Sequence, residues 1–392
     1  MEVFHLLETD DVLSASQPSR RAENVNKKIP KCYTGDSMDQ LSPYDYHLPP
    51  ELIATEPATP RDSSRLFVYS TLTNTVTLDI FRNLAEYVPA HTTIVFNDTK
   101  VVPARLHLTK PSLSAQAGGG KIEVFLLLNE LLPGDTLVKG IVDRRAEVGW
   151  HLAFPSGDTL EVVRQDEQFF FFQPSVSIPE LWKLIDIHGE TPVPKYIKGS
   201  TLDEGTLREK YQSIFAEHPA SVAAPTASLH FTENVLAHLK RKGCVDARVT
   251  LHVGPGTFAP VTEESFATKK LHREYGSIGT DTASLINEAK RNNDPIMTVG
   301  TTATRVVEAF TDNSGLVVPQ EGPIDIFIFP PYTFKASDIL LTNFHLPKSS
   351  LMLLVDAFLR HKGAKKNILE LYQRAAKEKF RFYSFGDAML IL

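Results

Sequence analysis

Four short segments gather side chains able to do chemistry: Pro225-Thr226-Ala227-Ser228-Leu229-His230, His252-Val253-Gly254-Pro255-Gly256-Thr257, Gly300-Thr301-Thr302 with Arg305, and Asn343-Phe344-His345. Imidazoles titrate close to neutral pH and can accept or donate a proton. Glycines let backbone N–H groups approach an anion or a purine, and Gly300-Thr301-Thr302 at a helix start offers unpaired N–H groups and a favourable dipole. Each segment also has a plainer reading: a turn after a strand, an N-cap, or packed histidines. His230, His252 and His345 raise a three-histidine zinc site as a lesser alternative, because no two have i, i+4 spacing. Near the C-terminus, Lys379 to Met389 interleaves charge with aromatic rings; either the rings pack inward as a last strand or Arg381 and Asp387 face a ligand. No P-loop and no nucleophile elbow is present.

The elements that must hold these segments alternate in type. Arg65–Tyr69 and Thr93–Phe96 read as strands, the second stopped by Asn97-Asp98-Thr99. From Ala104 to Gln173 the pattern is strand after strand: Lys121–Leu128, Thr136–Val142, Trp150–Phe154 and Thr159–Val163, with a hairpin turn at Pro155-Ser156-Gly157-Asp158. That stretch predicts a small antiparallel β-barrel inserted into something else. After the proline-rich exit Thr191–Tyr196, strands and helices alternate. Ala247–His252, Ile296–Val299 and Ile339–Thr342 are predicted strands, and Glu233–Lys242 behind Thr232, Ala303–Phe310 and Leu351–Leu359 behind Ser349 are predicted helices. The expected fold class is α/β, with residues 41–103 and 192–392 forming a core domain interrupted by a barrel domain at 104–191. In such a fold ligands sit at the carboxyl ends of the strands. Residues 1–40 lack a sustained period and read as an extension.

The chain has 392 residues, 42% of them hydrophobic, enough for a large core. Its 41 Lys and Arg against 47 Asp and Glu give a net charge of −6, so a nucleic-acid partner must be met by a local basic patch. Lys240-Arg241-Lys242, Lys269-Lys270, the Lys362, Lys365, Lys366 group and the Arg374, Lys377 pair could grip phosphates or be solvated helix faces. Two cysteines, Cys32 and Cys244, are too few for a disulfide scaffold and fit a reducing cytosol. No signal peptide and no membrane-length apolar run is read.

From about Leu41 to Leu392 the chain resembles the S-adenosylmethionine:tRNA ribosyltransferase-isomerases of queuosine biosynthesis. The matching motifs are Phe96-Asn97-Asp98-Thr99-Lys100-Val101-Val102-Pro103-Ala104-Arg105-Leu106, Gly119-Gly120-Lys121-Ile122-Glu123-Val124, Ala223-Ala224-Pro225-Thr226-Ala227, Leu229-His230-Phe231, Thr250-Leu251-His252-Val253-Gly254 with Gly256-Thr257-Phe258, Val299-Gly300-Thr301-Thr302, Thr342-Asn343-Phe344-His345-Leu346-Pro347, and Arg381-Phe382-Tyr383-Ser384-Phe385-Gly386-Asp387-Ala388-Met389. The resemblance implies an α/β domain interrupted by a small β-barrel. It also implies transfer and isomerisation of the ribosyl group of S-adenosylmethionine onto 7-aminomethyl-7-deazaguanine at the tRNA wobble position, giving epoxyqueuosine-tRNA, adenine and methionine. S-adenosylmethionine is then a co-substrate, with no prosthetic group or metal.

On this reading His230, His252, His345 and Asp387 are the expected catalytic groups. Thr226, Gly254, Gly256, Thr257, Thr301, Thr302 and Arg305 are expected at S-adenosylmethionine, with its carboxylate on the Thr301-Thr302 helix start. Asn97, Asp98, Arg105, Asn343 and Arg381 are expected at the tRNA anticodon stem-loop. An S-adenosylmethionine-dependent RNA methyltransferase and a silent tRNA-binding relative are the rival readings. The chain departs from the family pattern at Ala220 and Ser228, which replace glycines, at Lys195, and at Ala303-Thr304. If the glycine at position 228 serves a left-handed backbone or a close ligand approach, serine is expected to cost about 1–2 kcal/mol there, with Ala220 as the compensating change.

Overall fold

The computed structural model describes residues 40–111, 119–132, 134–194, 202–254, 256 and 260–392. The extension up to residue 39, Cys32, Lys195 and Thr257 lie outside the described residues.

A nine-stranded mixed sheet forms the core, in the order Gln320–Ile326, Lys270–Ile278, Val245–His252, Thr93–Asn97, Ile296–Val299, Ile339–Asn343, Ala388–Ile391, Arg65–Ser70, Thr75–Ile80. Four central strands, from Val245–His252 to Ile339–Asn343, run parallel. Thr93–Asn97, Ile296–Val299 and Ile339–Asn343 are buried at every position, so they read as continuous apolar runs rather than alternating ones. Both faces are covered. Val95, Ile296 and Val249 pack with helices Thr280–Asn292 and Gly300–Ala309, while Phe67, Leu340 and Met389 pack with Ser350–His361 and Ile368–Lys377. On the opposite face Ile94, Phe96, Met297 and Leu341 meet helix Glu233–Arg241. That helix begins where Thr232 accepts a hydrogen bond from the N–H of Val235, and Ser349 does the same for Met352.

The inserted sheet is antiparallel. Strands Arg105–Thr109, Lys121–Leu126, Val138–Val142, Phe169–Pro174, Thr159–Asp166 and His151–Ala153 pair in that order, and a Thr109 to Ala153 pairing closes the ring into a six-stranded barrel. Alternate residues point inward, as in Lys121–Leu126 and Phe169–Pro174, and build a separate core around Leu106, Val124, Leu152 and Phe172. Helix Ile178–His188, absent from the sequence reading, plugs this core with Leu181 and Ile185. The chain leaves through Gly189–Glu190, paired with Leu106 and Arg105 where it entered. A Cβ on Gly189 would lie 1.8 Å from the Pro103 carbonyl oxygen, so only glycine fits that approach.

Two expectations about elements are corrected. Lys379 to Asp387 is not a strand; the last strand is Ala388–Ile391, and the preceding segment buries Phe380, Phe382 and Phe385 from a loop. Lys270–Ile278 and Gln320–Ile326 are strands missing from the sequence reading, because they lie at a sheet edge and carry polar residues. Among the described residues no helix is long and apolar enough to cross a membrane.

Candidate functional site

At the carboxyl ends of the central strands lies a half-open pocket of about 900 Å³, part of it continuous with solvent. Thr226, Thr301, Thr302, Asn343 and His345 line it, so three of the four chemistry-bearing segments meet there. Val253 brings the fourth to its wall, while His252 itself stands off the pocket. The remaining wall is largely apolar, from Ala223, Ala224, Leu346 and Leu351.

Asn343 is the hub. It is 2% exposed; its Oδ1 accepts from Thr226 Oγ1 at 3.4 Å and its Nδ2 donates to the Tyr383 carbonyl at 3.2 Å. The same Nδ2 lies 3.5 Å from His230 Nε2, and the other ring nitrogen of His230 is 2.9 Å from Ser64 Oγ. Burial holds His230 down to a pKa of about 4, against the Asp387 charge, which pulls the other way. Desolvation takes His345 to about 3. Its Nε2 is 2.9 Å from Thr342 Oγ1, and Nδ1 has no partner among the described residues, so this ring keeps one nitrogen for a ligand. His252 is likewise lowered to about 4 by burial and bonds Thr99 Oγ1 at 2.8 Å. All three imidazoles are therefore neutral at pH 7, the form that accepts a proton.

Gly300 makes the turn from strand Ile296–Val299 into helix Gly300–Ala309 with φ of 83°, a conformation that suits glycine, and so brings Thr301 and Thr302 to the pocket. Thr302 Oγ1 is buried and without a hydrogen-bond partner among the described residues. One turn along, Arg305 leaves this pocket and faces a narrower cleft lined by Gly256, His272, Glu274, Ser350 and Leu351. There it pairs with the buried Glu274, whose other oxygen accepts the N–H of Gly254 at 2.9 Å.

Other expected residues serve the framework. Asp387 is 1% exposed and accepts from the backbone N–H of Arg65 and Arg381 and from Arg381 Nε and Nη2, at 2.8–3.2 Å, so its carboxylate braces the final loop. Asn97 is fully buried, donating to the Leu251 carbonyl and accepting from the N–H of Leu251 and Thr99. Asp98 accepts from Thr250 Oγ1 at 2.7 Å; burial pushes its carboxyl above the usual range, with that hydroxyl pulling back. Arg105 keeps partial exposure at the barrel's root, between Glu123 and the Val193 carbonyl, and Arg381 is 33% exposed. The three histidines do not converge into a ligand set; among the described residues the group spaced to hold a metal is Asp98, Glu217 and His218.

Sequence reasoning missed Tyr211, Ser349 and Leu351 as pocket residues and quoted Tyr383 and Ser384 without assigning them. Tyr211, fully buried against Phe385, follows helix Glu204–Lys210 and carries no local signal. Tyr383 has a φ of 71°, rare for a bulky residue, and accepts Asn343 through its carbonyl. The conditional strain at position 228 is corrected. Neither Ser228 nor Ala220 has a left-handed backbone; Ser228 sits in a 3-10 turn, fully buried, its hydroxyl unpartnered among the described residues and outside the pocket lining.

Residues 41–391 match the family described as "Queuosine biosynthesis protein". An S-adenosylmethionine:tRNA ribosyltransferase-isomerase of Caldanaerobacter subterraneus subsp. tengcongensis is 41% identical over 365 residues, 90% of this chain and 99% of its own length. One from Sulfurihydrogenibium is 41% identical over 90% of this chain and all of its own. The crystal structure of a Thermotoga maritima S-adenosylmethionine tRNA ribosyltransferase, 31% identical, covers 90% of this chain and 100% of that chain with a TM-score of 0.48.

Proposed function

The chain belongs to the queuosine biosynthesis protein family, and from that membership we propose that it is an S-adenosylmethionine:tRNA ribosyltransferase-isomerase. Its substrates are S-adenosylmethionine and a tRNA anticodon stem-loop carrying 7-aminomethyl-7-deazaguanine. The ribosyl group moves to the aminomethyl nitrogen and rearranges to the epoxycyclopentanediol, with adenine and methionine released and epoxyqueuosine-tRNA formed in the cytoplasm. The observation that carries this reading is the convergence of Thr226, Thr301, Thr302, Asn343 and His345, far apart in sequence, on one pocket.

The chemistry assigns tasks. A sulfonium acidifies the adjacent ribose 5′-carbon, so a positioned neutral base can take a proton and leave an ylide. His345, neutral and with Nδ1 uncommitted among the described residues, is that base. Departure of adenine is eased by proton donation to the purine, which the apolar walls hold flat while Thr226 and Asn343 give it a polar edge. His230 orients Asn343, and Asp387 positions the loop that carries Tyr383 and Ser384. Arg105 and Arg381, both partly exposed, are the expected residues left to meet tRNA phosphates.

The test is adenine release from S-adenosylmethionine in the presence of the modified anticodon stem-loop. Equimolar adenine and methionine are expected. S-adenosylhomocysteine instead would make the chain a methyltransferase, and tRNA binding without adenine would make it a silent relative.

A further inference from the structure

Among the described residues two guanidiniums keep buried nitrogens without a partner, Arg248 at Nη1 alone and Arg305 at both Nε and Nη2, and the second of these faces a cleft. Arg305 is 5% exposed, and its guanidinium has five donors in a fixed fork. One nitrogen, Nη1, goes to Glu274. Among the described residues Nε and Nη2 are buried without any hydrogen-bond partner. Buried polar groups are normally paired, and a charged one left bare costs more than a neutral one. The two free donors share that cleft with Gly256, His272 and Ser350, and among the described residues none of these is bonded to them.

This cleft adjoins the main pocket. Leu351 lines both, the neighbouring Ser349 and Ser350 line one each, and helix Gly300–Ala309 gives Thr301 and Thr302 to the pocket and Arg305 to the cleft. A ligand with a flat head and a charged tail would therefore lie along the first turn of that helix, head in the pocket and tail past Leu351. Glu274 fixes the guanidinium from behind and ties it to the glycine loop through the Gly254 N–H. The bare edge is Nε with Nη2, the pair that matches the two oxygens of a carboxylate.

We propose that Arg305 is the carboxylate seat for the amino-acid end of the sulfonium substrate, one helical turn beyond the Thr301-Thr302 start, with Glu274 as its positioning residue. The proposal rests on the function proposed above and moves the carboxylate from the helix terminus, where the sequence reading expects it, to a full charge inside the fold. Thr301 and Thr302 then face the sugar rather than the tail.

Decarboxylated S-adenosylmethionine keeps the sulfonium, the ribose and the adenine and removes only the group in question. Calorimetric binding to the full chain should show a preference for S-adenosylmethionine of about 30-fold or more, as expected for a buried charge-assisted pair. Arg305→Gln should bring the two ligands within about threefold by weakening S-adenosylmethionine alone, whereas Thr302→Val should keep the preference. If Arg305→Gln does not fold, Thr302→Val decides, because loss of preference in that variant assigns the carboxylate to the helix start. Equal binding of both ligands by the parent, or full preference in folded Arg305→Gln, overturns the proposal. The two readings fail separately. A parent that releases adenine yet binds both ligands equally loses only the carboxylate seat, and one that prefers the carboxylate yet releases no adenine loses only the proposed reaction.

Discussion

The barrel and the core sheet solve the same burial problem with opposite sequence textures. In the barrel one face of each strand is wet, polar and apolar positions alternate, and partners lie close in sequence, as in the Thr159–Asp166 to Phe169–Pro174 hairpin. In the core the central strands are buried on both faces, and Thr93–Asn97 pairs with strands more than a hundred residues away. Polar groups in that interior are held in pairs, Asn97 with Leu251, Glu308 with the N–H groups of Lys335 and Ala336, Asp387 with Arg381, while among the described residues Thr302 Oγ1 and two nitrogens of Arg305 at the crevice are not. Two of the barrel's cations are spent locally, Lys139 on Glu130 and over the Phe169 ring, Arg164 over Phe171. Chemistry thus belongs to the region whose strands are buried on both faces, because strand ends facing a common crevice can carry polar side chains that the strand interiors cannot.

The largest test of this contrast sets one substitution in each region side by side. Phe172→Ala, in the barrel core, should lose about 3–5 kcal/mol of stability through a cavity, and Asp387→Ala, in the final loop, about 2–4 kcal/mol by leaving the N–H groups of Arg65 and Arg381 without their acceptor. Thermal unfolding checks that. S-adenosylmethionine affinity then separates them: it should survive within about threefold in folded Phe172→Ala and be lost in Asp387→Ala. Loss of affinity in the barrel variant would break the division of labour.

Next in size is the base. His345→Ala should slow adenine release about 100-fold or more with little change in tRNA affinity. Because the folded His345 and His230 have pKa values of about 3 and 4, the acid limb of the rate profile should fall below pH 5 rather than near 6.5. The linkage has the same sign: the unfolded chain binds these protons more readily, so the stability they contribute is present above about pH 6.5 and is lost as pH falls towards 4 and then 3. An acid limb near pH 6.5 would remove both rings from the mechanism.

A smaller effect concerns charge. Residues 104–191 hold eight Lys or Arg against twelve Asp or Glu, most of the chain's net −6. Stem-loop affinity should drop about tenfold or more between about 50 and 200 mM salt, while Lys139→Ala with Arg164→Ala changes it less than about threefold. A large loss in that double variant would extend the phosphate contacts from Arg105 at the barrel's root to its outer strands. The smallest effect is expected of Ser228→Gly, which should alter adenine release less than about threefold, since the backbone there is not left-handed and relief of strain is not on offer.

The barrel was legible because period-two alternation and the Pro155-Ser156-Gly157-Asp158 turn are local signals. The sheet's middle was legible from short apolar runs ending in polar loops, and the Thr232 and Ser349 caps marked two helices. Lys270–Ile278 was hidden by Lys270, His272, Arg273 and Glu274 in what proved an edge region. At the site, Thr226, Asn343 and His345 were found because their loops are polar where the strands are not. Tyr211 was hidden because pocket membership depends on a contact with Phe385, distant in the chain, and Asp387 looked reactive because its four donors are invisible until the loop closes on Arg65 and Arg381.

The junction at Gly189 bears on how such a chain can be rebuilt. Arg105–Leu106 and Gly189–Glu190 are hydrogen-bonded neighbours, so the barrel leaves and re-enters the core through a doorway about 5 Å wide. To the core it is a long loop with its ends already tied, and closure entropy grows only with the logarithm of loop length. A barrel of another size whose ends meet at the same spacing could be grafted onto this stalk without shifting the register of the nine-stranded sheet. The stalk makes the barrel an exchangeable cartridge, with Gly189 as the hinge pin that no larger residue can replace.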